Sequence, residues 1–249
     1  MGMRTMTRRL VAGAGAVAAG AALLLAGAGP AGAADAKVNV GAGVSFGTGT
    51  VFANGTVKQE DFCTRAAVGR DPQGRLLALT AAHCTVETVP GAPPVDSLWV
   101  QGQKVGSIAG RYQTDSPGGV TPGYYDFAFY YLDESKVTIG SERGAVVTSL
   151  PAPTFHPGTF TNVCMSGWTS GKRCGFYIGD GGTTPRTHIV GIAVQSGDSG
   201  GPLYTNDGKL LGIGSRGNSG APAAFYTDVR DAVTYATGHG MITGFTPIA

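Results

Sequence analysis

Residues 195–203 read "QSGDSGGPL", and the residues directly after the serine decide the fold. Gly and Ser dominate tight turns, so Ser199 could be one more turn residue. As a nucleophile it could sit in a strand–turn–helix, which needs a helix directly after the serine. Gly200-Gly201-Pro202 is a poor helix start, and no alternation of strands with helical segments surrounds it. The setting points to an all-β chain.

Composition agrees. Of 249 residues, 42% are hydrophobic, only 14% are charged, and 42 are glycines. That favours short strands and many turns over long charged helices. Apolar or alternating runs recur: "VNVGAGVSF" (38–46), "LLALTAA" (76–82), "DFAFYYL" (126–132), "HIVGIAV" (188–194) and "KLLGIGS" (209–215). Asn54-Gly55, Asp207-Gly208 and "DPQG" (71–74) mark turns between them. One stretch reads as helical: "TDVRDAVTY" (227–235), capped by its Thr or Asp, with Val229, Ala232 and Val233 on one side. No repeat of solenoid length is present. The loose, Pro- and Gly-bearing stretch 133–157 is the expected connection between two halves.

Arg4, Arg8 and Arg9 precede an apolar, small-residue run (10–29) and an "AGA" site (31–33). This is the pattern of a cleaved secretory signal rather than a membrane anchor, and Arg8-Arg9 is also compatible with twin-arginine export. The formal net charge is +2; removing 1–33 takes away three arginines and no acid, leaving 15 basic and 16 acidic residues and a formal −1. No basic patch of the nucleic-acid-binding kind is visible. An exported chain meets oxidising conditions. Its four cysteines (63, 84, 164, 174) form no C-x-x-C pair, which favours two disulfides over zinc. Three pairings are open, the local one being 63 with 84 and 164 with 174.

A nucleophilic serine needs a base, and the base needs an acid to hold its tautomer. Of four histidines, His83 stands out in "LTAAHC", between an apolar strand and a cysteine. His156, His188 and His239 lie in "TFHPG", at the head of "HIVGIAV" and in "TGHGM". Asp126 opens an apolar strand, where a buried carboxylate requires a hydrogen-bond donor such as a histidine N–H. Gly197 can turn its N–H, together with that of Ser199, toward a developing oxyanion, and Gly200 and Gly201 allow close chain approach.

Together "LTAAHC", "DFAFYYL" and "GDSGGPL" resemble the three signatures of chymotrypsin-like serine peptidases in that family's order, over roughly residues 38–235. "CTRAAVGRDPQGRLLALTAAHC" and "CMSGWTSGKRCG" are most similar to its bacterial streptogrisin and α-lytic branch. The resemblance implies an all-β fold of two six-stranded antiparallel β-barrels with a short C-terminal helix. After the signal (1–33), residues 34–139 would form the first barrel, carrying the His and Asp, and 140–249 the second. Ser199 would be the nucleophile, His83 the base, Asp126 the orienting acid, and Gly197 and Ser199 the oxyanion hole. Cys63–Cys84 and Cys164–Cys174 match family disulfides. Ala193, Ser215, Arg216, Gly217 and Ala224 would contact substrate. The implied protein is a secreted monomeric endopeptidase acting on proteins or peptides, with no nucleic-acid partner, no membrane after signal cleavage, no metal and no cofactor.

Several positions depart from the pattern. Where trypsins hold a pocket acid, six residues before the serine, stands Ala193. That disfavours a basic residue before the scissile bond and implies a small to medium apolar one. The cysteine that streptogrisins usually carry just before the motif is absent. Met165 occupies the place of the arginine that pairs with Asp198 in the bacterial branch. The expected substitute is Arg216 or another arginine, or else the amine of Val38 freed by cleavage after Lys37 in "KVNVG". The short segment before Cys63 leaves no room for a long folding-assisting pro-region. Two rivals stand beside this reading. One is an esterase completing Ser199 with Asp228 and His239; the other is a binding protein that keeps the triad without catalysis.

Overall fold

The apolar runs become strands because β-branched and aromatic side chains pack well on a pleated surface. The computed structural model describes residues 36–51, 57–85, 96–114, 123–182, 184–217 and 222–249, with backbone alone for 48–51 and 57–62. All belong to the unit Asp35–Ala249. The segment read as an export signal and the Asn54-Gly55 turn lie outside them. Among the described residues no helix is long and apolar enough to cross a membrane.

The strands in chain order are β1 (Val38–Asn39), β2 (Ser45–Val51), β3 (Val57–Thr64), β4 (Ala67–Arg70), β5 (Leu76–Thr80), β6 (Ser97–Val100), β7 (Gln103–Gln113), β8 (Asp126–Leu132) and β9 (Val137–Thr138) in the first half. In the second half come β10 (Asn162–Gly167), β11 (Gly171–Gly181), β12 (Thr187–Gly191), β13 (Pro202–Thr205), β14 (Leu210–Gly217), β15 (Ala224–Asp228) and β16 (Thr246–Ile248). The second half closes as a six-stranded barrel in the order β10-β11-β12-β15-β14-β13. The first half is a half-barrel sheet of eight strands rather than six, ordered β16-β4-β5-β8-β7-β6-β2-β3. The C-terminal strand adds to its edge, with Pro247 opposite Gly69; an edge is where a strand tolerates proline. The run 38–46 is split: β1 leaves to pair in parallel with β9.

Both turn signals within the described residues are met. Gly74 N–H donates to Asp71 O (2.9 Å) and Gly208 N–H to Thr205 O (2.9 Å), both glycines at positive φ. The helix α1 (Val229–Gly238) starts from Asp228, whose carboxylate caps Arg230 N and Asp231 N. Its buried face is Val229, Ala232 and Ala236, with Val233 only half-buried, because a 3.6-residue period carries the stripe on to 236. α1 packs on the first half's core: Tyr235 stacks on Tyr112 at 4.3 Å and meets Tyr125 at 4.7 Å. Fully buried Leu77, Leu79, Phe127 and Phe129 lie in that core, each stabilising it by about 1.5–3 kcal/mol. They make β5 and β8 a rigid pair, and the site hangs from the ends of those two strands.

Candidate active site

β5 pairs with β8 so that Thr80 lies opposite Ala128. Extending past Thr80 brings the chain to Asp126, at the first residue of β8. Here it turns into a 3-10 helix (Ala82–Thr85) that carries His83. His83 N–H donates to Asp126 Oδ1 (2.9 Å), and His83 Nδ1 lies 2.7 Å from Asp126 Oδ2. Ser215 Oγ donates to that same Oδ2. Asp126 is fully buried. Burial alone pushes its carboxyl up, but the hydrogen bonds and charge of His83 and the Ser215 hydroxyl outweigh this and hold it below the ordinary carboxylate range. The Cys63–Cys84 disulfide ties the helix to β3, and Cys164–Cys174 joins β10 to β11. Cys63, His83 and Cys84 cluster closely, yet the two sulfurs are bonded to each other and offer a metal no thiolate.

Ser199 lies in a turn that leads into β13, not into a helix. Asp198 N–H donates to Gln195 O (3.1 Å), Gly201 N–H to Asp198 O (3.0 Å) and Gly200 N–H to Gly214 O (2.7 Å). Thr64 N–H, from the first half, donates to Ser199 O (2.7 Å). A Cβ at Gly200, where φ is +79°, would collide with Thr80 Oγ1 and the Thr64 carbonyl; this is the close approach that the paired glycines permit. Among the described residues, no intramolecular acceptor takes the N–H of Gly197 or of Ser199, and no hydrogen bond joins Ser199 Oγ to His83. Ser199 and Ser215 line one cavity, so Ser215 links the serine's cleft to Asp126.

Asp198 corrects the expectation of a cation. It is buried (3% exposed), and its partners are backbone amides: Thr169 N (3.1 Å) and Ser170 N (2.9 Å) on Oδ1, and Gln195 N (2.8 Å) on Oδ2. Among the described residues no arginine or lysine pairs with it. Arg216 instead lies over the Tyr124 ring at 5.1 Å, and Val38 N–H is engaged by Lys136 O (3.0 Å) beside β9. Three converging amides offset the cost of burying the carboxylate. Gly167 makes this approach possible, since a Cβ there would strike Asp198.

The cavity measures about 350 Å³ and is walled by residues 214–217 and 224–226, with 194–196, 198 and 199. Ser215, Arg216, Gly217 and Ala224 all line it. Ala193 does not: it is exposed, its carbonyl accepts from Arg173 Nη1 (3.2 Å), and Val194 faces the cavity in its place. Val194 packs closely on Gly217, where an added Cβ would run into Val194 Cγ2.

The remaining candidates lie elsewhere. Asp228 caps α1, and His239 stacks on Tyr235 (3.8 Å) with its Nδ1 2.8 Å from Tyr235 O. Neither meets Ser199, and no helix follows it, so the esterase arrangement is absent. The sequence profile of the trypsin family matches residues 42–236. The chain belongs to the trypsin family. Among solved structures, this trypsin-family chain is similar to a Nocardiopsis protease (20% identical, 80% of this chain and 96% of that one covered, TM-score 0.55). It is also similar to protease A of Thermobifida fusca (19% identical, 85% and 100% covered, TM-score 0.56). A third is a glutamic acid specific serine protease with a histidine triad in substrate binding (20% identical, 84% and 100% covered, TM-score 0.56). At these identities the likeness shows the fold. Comparison with curated proteins gives no match.

Proposed function

We propose that this chain is a secreted serine endopeptidase that uses Ser199, His83 and Asp126. The observation that carries the reading is the 2.7 Å contact of His83 Nδ1 with a buried Asp126, which also accepts from Ser215, a wall residue of the cavity that Ser199 lines. Asp126 holds the Nδ1–H tautomer, leaving Nε2 free to take the Ser199 proton as Oγ attacks the substrate carbonyl. The N–H groups of Gly197 and Ser199 stabilise the oxyanion. His83 then protonates the leaving amine, and a water molecule, deprotonated by the same imidazole, hydrolyses the acyl-enzyme. The sequence pattern of residues 1–33 supports export, after which residues 34–139 and 140–249 make up the two catalytic halves.

A fluorophosphonate probe is expected to label the folded protein at Ser199, with labelling abolished in Ser199→Ala. A folded wild type that resists the probe would favour the non-catalytic binding protein. Val194, Gly217 and Ala224 give the cavity an apolar wall, and the Asp198 carboxylate is committed to amides. Peptide-library profiling is therefore expected to show small to medium apolar residues before the scissile bond preferred over Arg and Lys by about 100-fold or more. A clear basic preference would sink this specificity.

A further inference from the structure

Gly197 sits at φ +94°, a conformation that glycine enters without strain and also leaves without strain. An oxyanion donor on so free a residue needs restraint from outside the turn. The Gly197–Asp198 peptide is held at both ends: Asp198 N–H by Gln195 O (3.1 Å), and Gly197 O by the Thr64 hydroxyl (2.7 Å). Thr64 is a first-half residue, fully buried beside Cys63. Its Oγ1 also accepts from Trp168 N–H (2.9 Å), next to the amides that hold Asp198, and its own N–H donates to Ser199 O (2.7 Å). Its carbonyl accepts from Thr80 Oγ1 (3.0 Å) on β5, the strand leading to His83. One side chain thus reaches the oxyanion turn and the loop beneath it, while its backbone reaches the serine and the strand of the base.

We infer that Thr64 is a positioning residue of the oxyanion hole: its hydroxyl fixes the Gly197–Asp198 peptide on one side of Gly197, while the Thr169 hydroxyl holds the Ser196 carbonyl (2.6 Å) of the peptide on the other, so that rotation about Gly197 is limited and its N–H keeps one direction. The inference rests on the peptidase reading above. Thr64→Val keeps the shape and the backbone N–H while removing the hydroxyl. Turnover of a chromogenic peptide amide, normalised to active sites counted by burst titration, is expected to fall about tenfold in kcat. That is less than the roughly hundredfold or more caused by loss of an oxyanion donor outright. KM stays near wild type, because the interaction is made in the transition state. Affinity for a peptide aldehyde, whose adduct carries the oxyanion, falls with kcat, and Thr64→Ser restores both. Wild-type kcat in Thr64→Val, a change in KM alone, or equal losses in the serine and valine variants would each overturn the inference. If Thr64→Val gives no titratable sites, Thr64→Ala is read the same way; none in either variant assigns the contact to folding and overturns it. A wild type that neither labels nor turns over removes the peptidase reading and this inference with it.

Discussion

Asp126→Asn is expected to leave the protein folded and to lower kcat by about 10,000-fold, the magnitude this change has in the family's type enzyme rather than one obtained from the distances here. The direction comes from the donor count. Asp126 accepts three hydrogen bonds, from His83 N–H on Oδ1 and from His83 Nδ1–H and the Ser215 hydroxyl on Oδ2. An asparagine has one acceptor oxygen and one donor group. With its oxygen kept on the His83 backbone N–H, its amide nitrogen faces Ser215 and Nδ1. The Ser215 hydroxyl can reverse and accept. His83 can accept only by moving its proton to Nε2, the nitrogen that receives the Ser199 proton in the mechanism proposed above. Volume and burial barely change, so thermal melting and circular dichroism should stay near wild type while steady-state kcat collapses. A loss below tenfold in a folded variant would remove Asp126 from the mechanism.

That contact was legible in the sequence through resemblance: "LTAAHC", "DFAFYYL" and "GDSGGPL" match the family's three signatures in order, whereas Asp126 alone reads as a turn or strand-capping acid. The structure supplies the physical link, since "LLALT" and "DFAFYYL" are buried and paired and their ends bring His83 to Asp126. The two disulfides and the wall at 215–217 and 224 were likewise legible through the resemblance. The partners of Asp198 were not. They are backbone amides, and the identities of Thr169, Ser170 and Gln195 say nothing about where their N–H groups point. The only hint was negative, a buried acid with Met165 where a cation was expected. Ala193 failed for a related reason: position counting finds a residue but not the face it turns, and Val194 packs against Gly217. Thr64 was silent because its partner Gly197 is 133 positions away and a lone threonine after a cysteine carries no pattern. The eight-stranded sheet likewise depends on β16, three residues whose pairing with β4 only tertiary structure reveals.

His188→Leu is expected to destabilise the folded state by about 3–5 kcal/mol, or roughly 10 °C in Tm for a domain of this size. His188 read as a lone histidine heading a strand; in the barrel it is a buried hub. Its Nδ1 lies 2.8 Å from Asp180 Oδ1, and its Nε2 lies 3.1 Å from Asp228 Oδ2 and 3.0 Å from Leu211 O. Tyr177 donates its hydroxyl to Asp180. Burial pushes the imidazole down, but the two carboxylates outweigh that and raise it to about 9. Asp180 moves the other way: burial raises it, yet His188 and the Tyr177 hydroxyl bring it down to about 2. His188 is thus an imidazolium between two carboxylates, cross-linking β11 and β12 to the Asp228 that caps α1. A leucine fills the volume but leaves Asp180, whose side chain is 26% exposed, without its imidazolium partner, while Asp228 keeps Arg186 and Arg230 at 3.7 and 3.6 Å. Because the folded pKa of His188 is raised, its contribution is complete below the unfolded value of about 6.5 and is lost as pH rises through about 9. For Asp180 the contribution is complete above about 3.9 and is lost as pH falls through about 2. Chemical denaturation of both proteins should therefore show the widest gap between pH about 4 and 6.5, narrowing steadily toward pH 9. Parallel stability curves across that alkaline range would mean that His188 is held neutral and that the barrel is closed by packing alone. The distinction bears on the candidate site, because His188 pairs across the sheet with Tyr226, which lines the cavity that Ser199 shares. A charged hub at that register position ties β12 to the end of β15 at Asp228, on the strand that walls the cavity.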